Sequence, residues 1–481
     1  MKELLQRVDD FRWLLPKNSR ENMRVDAMIY ANKTVLDAVE DEAVKQLTNV
    51  ACLPGVVSPV LAMPDIHWGY GLPMGAVGAF DSEEGIISAG CTGFDINCGI
   101  HMIRTSLTAQ EVRERIKPLM DGLFRSVPCG VGSHSDVKLN INTIDDVLIR
   151  GAEWAVEHNY GTKEDLERME ENGRMPEADP SKVSVTAKKR GAPEVGTLGA
   201  GNHFLEVQII DSIYDEERAK AFGSLAKGGV TVMVHCGSRG LGHQIATDYL
   251  RLHDQAAKKY GIWLPDRQLV CAPAKSKEGQ DYYSAMKCAA NYAFANRLVI
   301  THFIRQAFEQ VFGKSWQELG MDTIYDVCHN ICKLEEHTVN GEKRRLYVHR
   351  KGATRAFNPG NPLVPSVYRK FGQPVLIAGS MGTASYILTG TDLAMKETFG
   401  SSCHGAGRRM SRTKAINSMR GADIKKELEK AGEEIRAMDL QLLAEEAPEA
   451  YKDIDAVIES VHAAGISTKV ARVVPLGVVK G

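Results

Sequence analysis

The sequence predicts one large domain, residues 1–481, that mixes β-strands with helices along its whole length. Three observations carry that expectation. Strands bounded by glycine turns and carrying a histidine at one end recur at 196–210, 229–243 and 323–330. Residues 243–312 are alanine-rich with helical spacing and read as packing cover. No internal repeat, low-complexity tract or linker divides the chain.

From the N-terminus, 23–30 alternates as a strand does and 35–47 has helical spacing, which gives a first strand-and-helix layer. In Met63-Pro-Asp-Ile-His-Trp-Gly-Tyr-Gly, Asp65 and His67 flank an apolar residue before a glycine-rich turn. That pair reads either as a capped histidine or as a carboxylate orienting a metal-bound imidazole. Residues 107–123 and 142–158 are expected helices, with Asp145 and Asp146 near the start of the second, where the helix dipole favours them. Residues 159–195 are polar and loop-like and end near Lys188-Lys189-Arg190, a solvated face or a guide for a phosphate backbone.

Alternation after Gly201 places His203, Leu205 and Val207 on one face and Asn202, Phe204 and Glu206 on the other. A strand from 346 leads into a basic turn with Arg350, Lys351 and Arg355. The run Pro374-Val-Leu-Ile-Ala-Gly-Ser-Met-Gly-Thr-Ala-Ser-Tyr is a phosphate-cradling loop in kind, with the hydroxyls of Ser380, Thr383 and Ser385. It is neither a Walker A sequence nor a dinucleotide GxGxxG fingerprint. Further on, His404 stands in a glycine turn that opens a basic helix, where anions are favoured. A charged helix over 422–434 and an apolar, β-branched end from Ile466 complete the chain.

The chemistry gathers around Gly90-Cys-Thr-Gly-Phe-Asp-Ile-Asn-Cys-Gly-Ile-His. A carboxylate, Asp95, and a thiol, Cys98, lie three residues apart on backbone that glycine lets turn sharply. Aimed at one point they repel unless a cation lies between them. Alone, such a pair is most often a turn with an inert thiol. Three histidine-bearing strands, at His203, His235 and His329, make a metal site the better reading. Ten cysteines in 481 residues, with no CxxC pair, exclude a disulfide scaffold and a zinc knuckle. A net charge of −2 gives no general bias toward polyanions. No apolar run approaches the roughly 18–20 residues of a membrane span, and a cytoplasmic protein is expected.

The motifs Pro64-Asp-Ile-His-Trp-Gly-Tyr-Gly, Gly93-Phe-Asp-Ile-Asn-Cys-Gly, Gly201-Asn-His, His235-Cys-Gly-Ser-Arg-Gly-Leu-Gly-His, His349-Arg-Lys-Gly and Cys403-His-Gly-Ala-Gly-Arg together resemble the RtcB family of RNA-splicing ligases. The likeness runs from about residue 20 to the C-terminus. It implies an α+β fold with mixed β-sheets flanked by helices around a deep metal-lined cleft. It also implies joining of RNA 2′,3′-cyclic phosphate or 3′-phosphate ends to 5′-hydroxyl ends with GTP and Mn²⁺, in tRNA splicing and RNA repair, helped by the small protein archease. Carried over motif by motif, Asp95, Cys98 and His203 hold one manganese, and Cys98, His235 and His329 the other. Donor softness alone favours zinc.

His404 matches the family's nucleophile, which carries GMP. Glu206 fits guanine selection, and Phe204 and Tyr451 bracket the base. Asn202, Asn330, Ala378, Gly379, Ser380, Met381, Ser385, Gly405, Ala406, Gly407 and Lys480 match nucleotide contacts. Arg239, Arg350, Lys351 and Arg408 are the residues expected on RNA phosphates. The chain departs from the family where Ala89-Gly90-Cys91 replaces Pro-Gly-Gly, which leaves a second thiol near the metal loop. Cys236 and Cys403 are expected to face away as packing residues. Competing readings are a dimetal phosphoesterase acting on RNA ends and a non-enzymatic RNA-binding protein with a structural metal.

Overall fold

Strand Val60–His67 is buried at every position but its last, as a strand covered on both faces must be. In the computed structural model, which describes residues 1–481, it is the middle of a seven-stranded sheet. The order is Gln6–Arg7, Arg12–Leu15, Ala27–Tyr30, Val60–His67, Met74–Asp81, Glu342–Lys351, Asn330–Val339. Only Ala27–Tyr30 and Val60–His67 run parallel. A 51-residue apolar cluster packs against this sheet and includes Cys91 and Cys403.

The second large sheet has eight strands. Seven follow in the order Thr323–Cys328, Gly99–Thr108, Gly229–Cys236, Phe204–Ile213, Ser467–Lys480, Ser385–Gly390, Pro374–Ile377, and Glu434–Ala437 runs parallel beside Ser467–Lys480. Its two end strands touch, so the sheet is nearly closed. The β-branched C-terminal run thus becomes an interior strand, bonded on both sides. The mixed α+β architecture expected from the resemblance is what the chain adopts.

The alanine-rich region forms two helices, Arg239–Lys259 and Lys277–Phe312. The second begins where the Ser276 hydroxyl accepts the Gly279 N–H, and it ends at Gly313 with φ +68°. Alanines along it admit close packing, while Asn291, Asn296 and Arg297 carry polarity into the interior. No helix is long and apolar enough to cross a membrane.

Several expected helices are broken by local chemistry. The 35–47 stretch is two helices, Lys33–Asp37 and Asp41–Val50. The 107–123 stretch begins inside strand Gly99–Thr108 and continues as Ala109–Arg113 and Ile116–Ser126. A capping box between Thr108 and Glu111 starts the first of these. Gly151, at φ +56°, divides 142–158 into Ile144–Arg150 and Ala152–Glu157. The charged helix is Gly421–Lys430. Residues 159–195 hold short helices, among them Val185–Gly191, which carries Lys188, Lys189 and Arg190.

Candidate active site

The five candidate metal donors all come from the ends of second-sheet strands. Asp95 and Cys98 lie on the turn before Gly99–Thr108, and His203 just precedes Phe204–Ile213. His235 is in Gly229–Cys236, and His329 follows Thr323–Cys328. The strand register sets Phe204 opposite His235 and Gly99 opposite both Cys236 and Cys328, so the histidines gather around the turn. Cys98 Sγ stands 3.3 Å from His203 Nε2 and 3.2 Å from His235 Nε2. His203 Nε2 is 2.8 Å from Asp95 Oδ2, and His235 Nε2 is 3.2 Å from His329 Nε2. Two groups that can hold a metal ion result, Asp95–Cys98–His203 and Cys98–His235–His329, with Cys98 in both.

These spacings suit cations. Donors about 2.0–2.3 Å from one ion sit roughly 3–3.5 Å from each other. Two imidazole nitrogens facing each other beside a thiol leave lone pairs that protons alone satisfy poorly, whereas a divalent ion satisfies them together. Burial, and then the Asp95 charge, push the Cys98 thiol up to about 12 without such an ion. Burial likewise works against ionised Asp95, but His203, Cys98 and the Ser238 N–H bring its carboxyl down to about 2.

Buried groups behind the donors fix their positions. Arg297, fully buried, donates from Nε and Nη2 to Asp326 at 2.7 Å each. Its Nη1 reaches the carbonyls of Asn97 at 2.8 Å and Cys236 at 3.0 Å. One guanidinium thus ties together the three backbone segments that carry Cys98, His235 and His329. At Gly237 a Cβ would fall 2.3 Å from Asp95 Oδ1, so only glycine admits the carboxylate there. Cys236 does point away from Cys98, yet it is more than packing. Its Sγ lies 4.0 Å from His203 Nδ1 and accepts from Asn296 Nδ2 at 3.4 Å, backing the ring from behind. Cys403 is core packing, and Cys91 is buried in the same cluster, its thiol pushed up to about 11 by burial.

His404 directly follows Ser401–Cys403, a strand that pairs with Ala353–Arg355 outside the two large sheets, and it meets the first sheet at Asp65. Its Nδ1 donates to Asp65 Oδ2 at 2.6 Å, and the same oxygen accepts the backbone N–H of His404 at 3.0 Å and of Gly405 at 3.3 Å. Burial opposes the Asp65 charge, but His404 and Lys452 hold its carboxyl below the usual range. With Nδ1 donating, Nε2 keeps its lone pair. The His404 and His329 rings are 4.6 Å apart. Asp65 therefore orients an imidazole as one sequence reading had it, but the ring is that of His404, and His67 Nδ1 meets only the Asp65 carbonyl, at 2.8 Å. His404 does not open a helix: the next one starts at Arg412.

A cleft of about 500 Å³ opens onto Asp95, Cys98, His235 and His404. Asn202, Phe204, Asn330, Lys480, Tyr451 and the stretches Ala378–Met381 and Gly405–Gly407 line it. Lys480 Nζ lies 5.7 Å from the Phe204 ring centre and donates to the His203 carbonyl at 3.1 Å. Arg408 lies 4.9 Å over Tyr451. Glu206 and Ser385 stand one step behind the lining. Ser385 Oγ accepts from the Gly379 N–H at 3.0 Å, bracing the loop. Glu206 accepts from Gln208 at 2.6 Å, and burial pushes its carboxyl up to about 8.

The four basic residues expected on RNA phosphates separate here. Arg408 and Lys351 line the cleft. Arg408 also bonds Glu446 and the Tyr451 hydroxyl at 3.1 and 3.0 Å. Lys351 Nζ donates to the Tyr70 carbonyl, and burial brings it down to about 8. Arg239, half-buried, donates to Thr197 Oγ1 at 3.0 Å and the Gly130 carbonyl at 2.8 Å. Arg350 cannot reach a phosphate. It is fully buried and bidentate to Glu335 at 2.7 and 2.9 Å, with further bonds to Ser401 Oγ and the Phe399 carbonyl. Arg355 is likewise buried, against Glu170 and Glu171. The basic turn is thus largely interior. Arg350→Ala should destabilise the fold by about 3–5 kcal/mol by stranding the Glu335 carboxylate. Chemical unfolding measures this, and a loss under 1 kcal/mol would contradict the pairing.

A family profile described as tRNA-splicing ligase RtcB matches residues 46–481. Three proteins named tRNA-splicing ligase RtcB align with nearly the whole chain. That of Thermococcus kodakarensis is 55% identical, covering 99% of each chain. That of Archaeoglobus fulgidus is 53% identical, and that of Methanococcus maripaludis 51%, each covering 100% of both chains. The profile and the full-length identities place the chain in the tRNA-splicing ligase RtcB family.

Proposed function

We propose that this chain is a GTP-dependent RNA ligase that joins RNA 2′,3′-cyclic phosphate or 3′-phosphate ends to 5′-hydroxyl ends, residues 1–481 acting as one catalytic domain. The carrying observation is His404, fixed by Asp65 through Nδ1 with its ring 4.6 Å from that of His329, in a cleft that Asp95, Cys98 and His235 of the two donor groups also line. His404 Nε2 attacks the α-phosphorus of GTP, a P–N bond forms and pyrophosphate leaves. An oxygen of the RNA 3′-phosphate then attacks that phosphorus, the P–N bond breaks, and GMP passes to the RNA end. The 5′-hydroxyl finally displaces GMP to form the phosphodiester, losing its proton. A cyclic end is opened by water first.

Asp95, Cys98 and His203 would hold one Mn²⁺, and Cys98, His235 and His329 the other. Bound there, divalent cations offset charge on phosphoryl oxygens. Phe204 and Tyr451 bracket the guanine, Glu206 reads its N–H edge, and the loop Ala378–Met381 with Gly405–Gly407 supplies backbone donors to the phosphates. Arg239, Lys351 and Arg408 remain as phosphate contacts. Broken or intron-excised tRNA halves are the substrates, archease is a helper, and the cytoplasm is the place of action.

Incubation with radiolabelled GTP and Mn²⁺ tests this reading. A ligase retains acid-labile GMP and joins matched RNA ends. A phosphoesterase releases phosphate and keeps no label, and a binding protein does neither.

Guanine selection has a pH signature. The ionised Glu206 carboxylate accepts from guanine, yet in the free site the group titrates at about 8. GTP affinity should therefore fall, by up to about tenfold per unit, as pH drops below 8, because binding must expel a proton. Glu206→Gln should flatten that slope and narrow the preference for GTP over ATP. Calorimetric titration across pH measures both, and an unchanged slope removes Glu206 from base reading.

A further inference from the structure

Away from Phe204 and Tyr451, the cleft wall has a second aromatic end. Phe94, adjacent to Asp95, stacks on His243 with ring centres 5.0 Å apart and planes inclined by 27°. Tyr70 meets Phe94 edge-on at 5.3 Å. Trp68, two residues before Tyr70, lines the same cleft and is 57% exposed. Cations accompany these rings. Lys351 Nζ lies 6.0 Å from the Tyr70 ring centre, and Arg190 bonds Gln244, the neighbour of His243, at 3.0 Å.

The contacts divide the lining into two groups. Phe204, Lys480, Tyr451, Arg408 and Glu446 contact one another at one end, and Tyr70, Phe94 and Lys351 at the other. Asp95, Cys98, His235 and His404 line the same cleft. On the ligase reading the nucleotide takes the Phe204–Tyr451 end, which leaves the Tyr70–Phe94 end without an assigned role. Exposed aromatic faces beside cations, continuous with a phosphoryl-transfer site, match the chemistry of unpaired nucleotides. An unpaired base offers a free π-face to any ring, whatever its sequence, whereas a paired base in a helix is already stacked on both faces.

We propose that Trp68, Tyr70, Phe94 and His243 form a stacking shelf for the unpaired bases of a single-stranded RNA end delivered to the reacting centre. The inference rests on the ligase reading and deepens it: the enzyme selects single-stranded termini over blunt duplex ends, with little sequence preference. Trp68 and His243 are the exposed members and the ones to vary, because Phe94 adjoins a metal donor.

The experiment measures binding of a fluorescent single-stranded RNA with a 5′-hydroxyl end, and of the same strand in a blunt duplex, to the full chain. Labelling by radioactive GTP is followed in parallel. Trp68→Ala and His243→Ala should each weaken single-strand binding about tenfold, in line with the stacking of one base. Trp68→Phe should restore it. The salt dependence should be unchanged, since no phosphate contact is removed. GTP labelling should persist in all three variants. Unchanged RNA affinity in the alanine variants overturns the shelf, including the case where the wall serves a protein instead. Equal binding of the blunt duplex overturns it as well. Absent GTP labelling in the unaltered chain defeats the ligase reading instead, and RNA affinity still judges the shelf.

Discussion

Cys98→Ala should abolish the proposed guanylylation and remove both candidate metal positions in a single step. The thiol belongs to each donor group, so the variant leaves Asp95–His203 on one side and His235–His329 on the other. Two ligands rarely retain a divalent ion when the remaining positions face a cleft. Losing even a residue that only orients a ligand typically costs 10–100-fold in metal affinity, and losing a shared ligand should exceed about 100-fold at both positions. His203→Ala and His329→Ala each remove a ligand from one group only and should leave one ion bound. Calorimetry with Mn²⁺ counts the ions. In the unaltered chain the same titration should release protons near neutral pH, because the Cys98 thiol ionises only at about 12 in the metal-free site. One ion bound to Cys98→Ala with unaltered affinity would end the shared-ligand assignment. The fold itself should survive, because alanine in place of the thiol introduces no charge.

The convergence of Asp95, Cys98, His203, His235 and His329 was readable in the sequence for a local reason. Period-two strands ending in histidine and a glycine-broken Asp95–Cys98 turn are features of contiguous residues, and sheet pairing then brings their ends together. The partners of those groups were not, because they arise only from pairing between distant segments. Asp65 and His404 are 339 residues apart, so the sequence offered His67 as the nearer imidazole. Arg350 and Lys351 look alike in a basic turn. What separates them is Glu335 on the adjoining strand, where Arg350 pairs with Ile331 and Glu335 with Leu346, and only the fold sends one cation inward. Cys236 faces away from the cleft as alternation requires, but the far face of its strand backs His203, so facing away did not mean inert. Arg297 was hidden in an alanine-rich helix. Its one visible signal was a lone cation among apolar residues, which a helix tolerates in the interior only when the charge is paired.

His404→Ala should eliminate the label while leaving the ions bound, and a graded response of Asp65 variants should identify the reason. A single Asp65 oxygen accepts three N–H groups, two of them backbone, while its other oxygen, Oδ1, is buried without a partner. In Asp65→Asn, the backbone donors of His404 and Gly405 oblige the amide to keep its oxygen toward them and turn its NH₂ to the Oδ1 position. The imidazole therefore retains its tautomer with Nε2 free, and only the negative charge beneath it is lost. Asp65→Ala loses both charge and orientation, and the Nδ1 proton is no longer fixed. Labelling by GTP should slow roughly 10-fold in Asp65→Asn and about 10³-fold in Asp65→Ala, within the range spanned by general-base and orienting groups. Single-turnover labelling rates at saturating GTP and Mn²⁺ separate these cases. Equal rates in the two variants would mean that charge, not orientation, is what Asp65 supplies. A His404→Ala chain that still takes up acid-labile GMP would place the nucleophile on another residue.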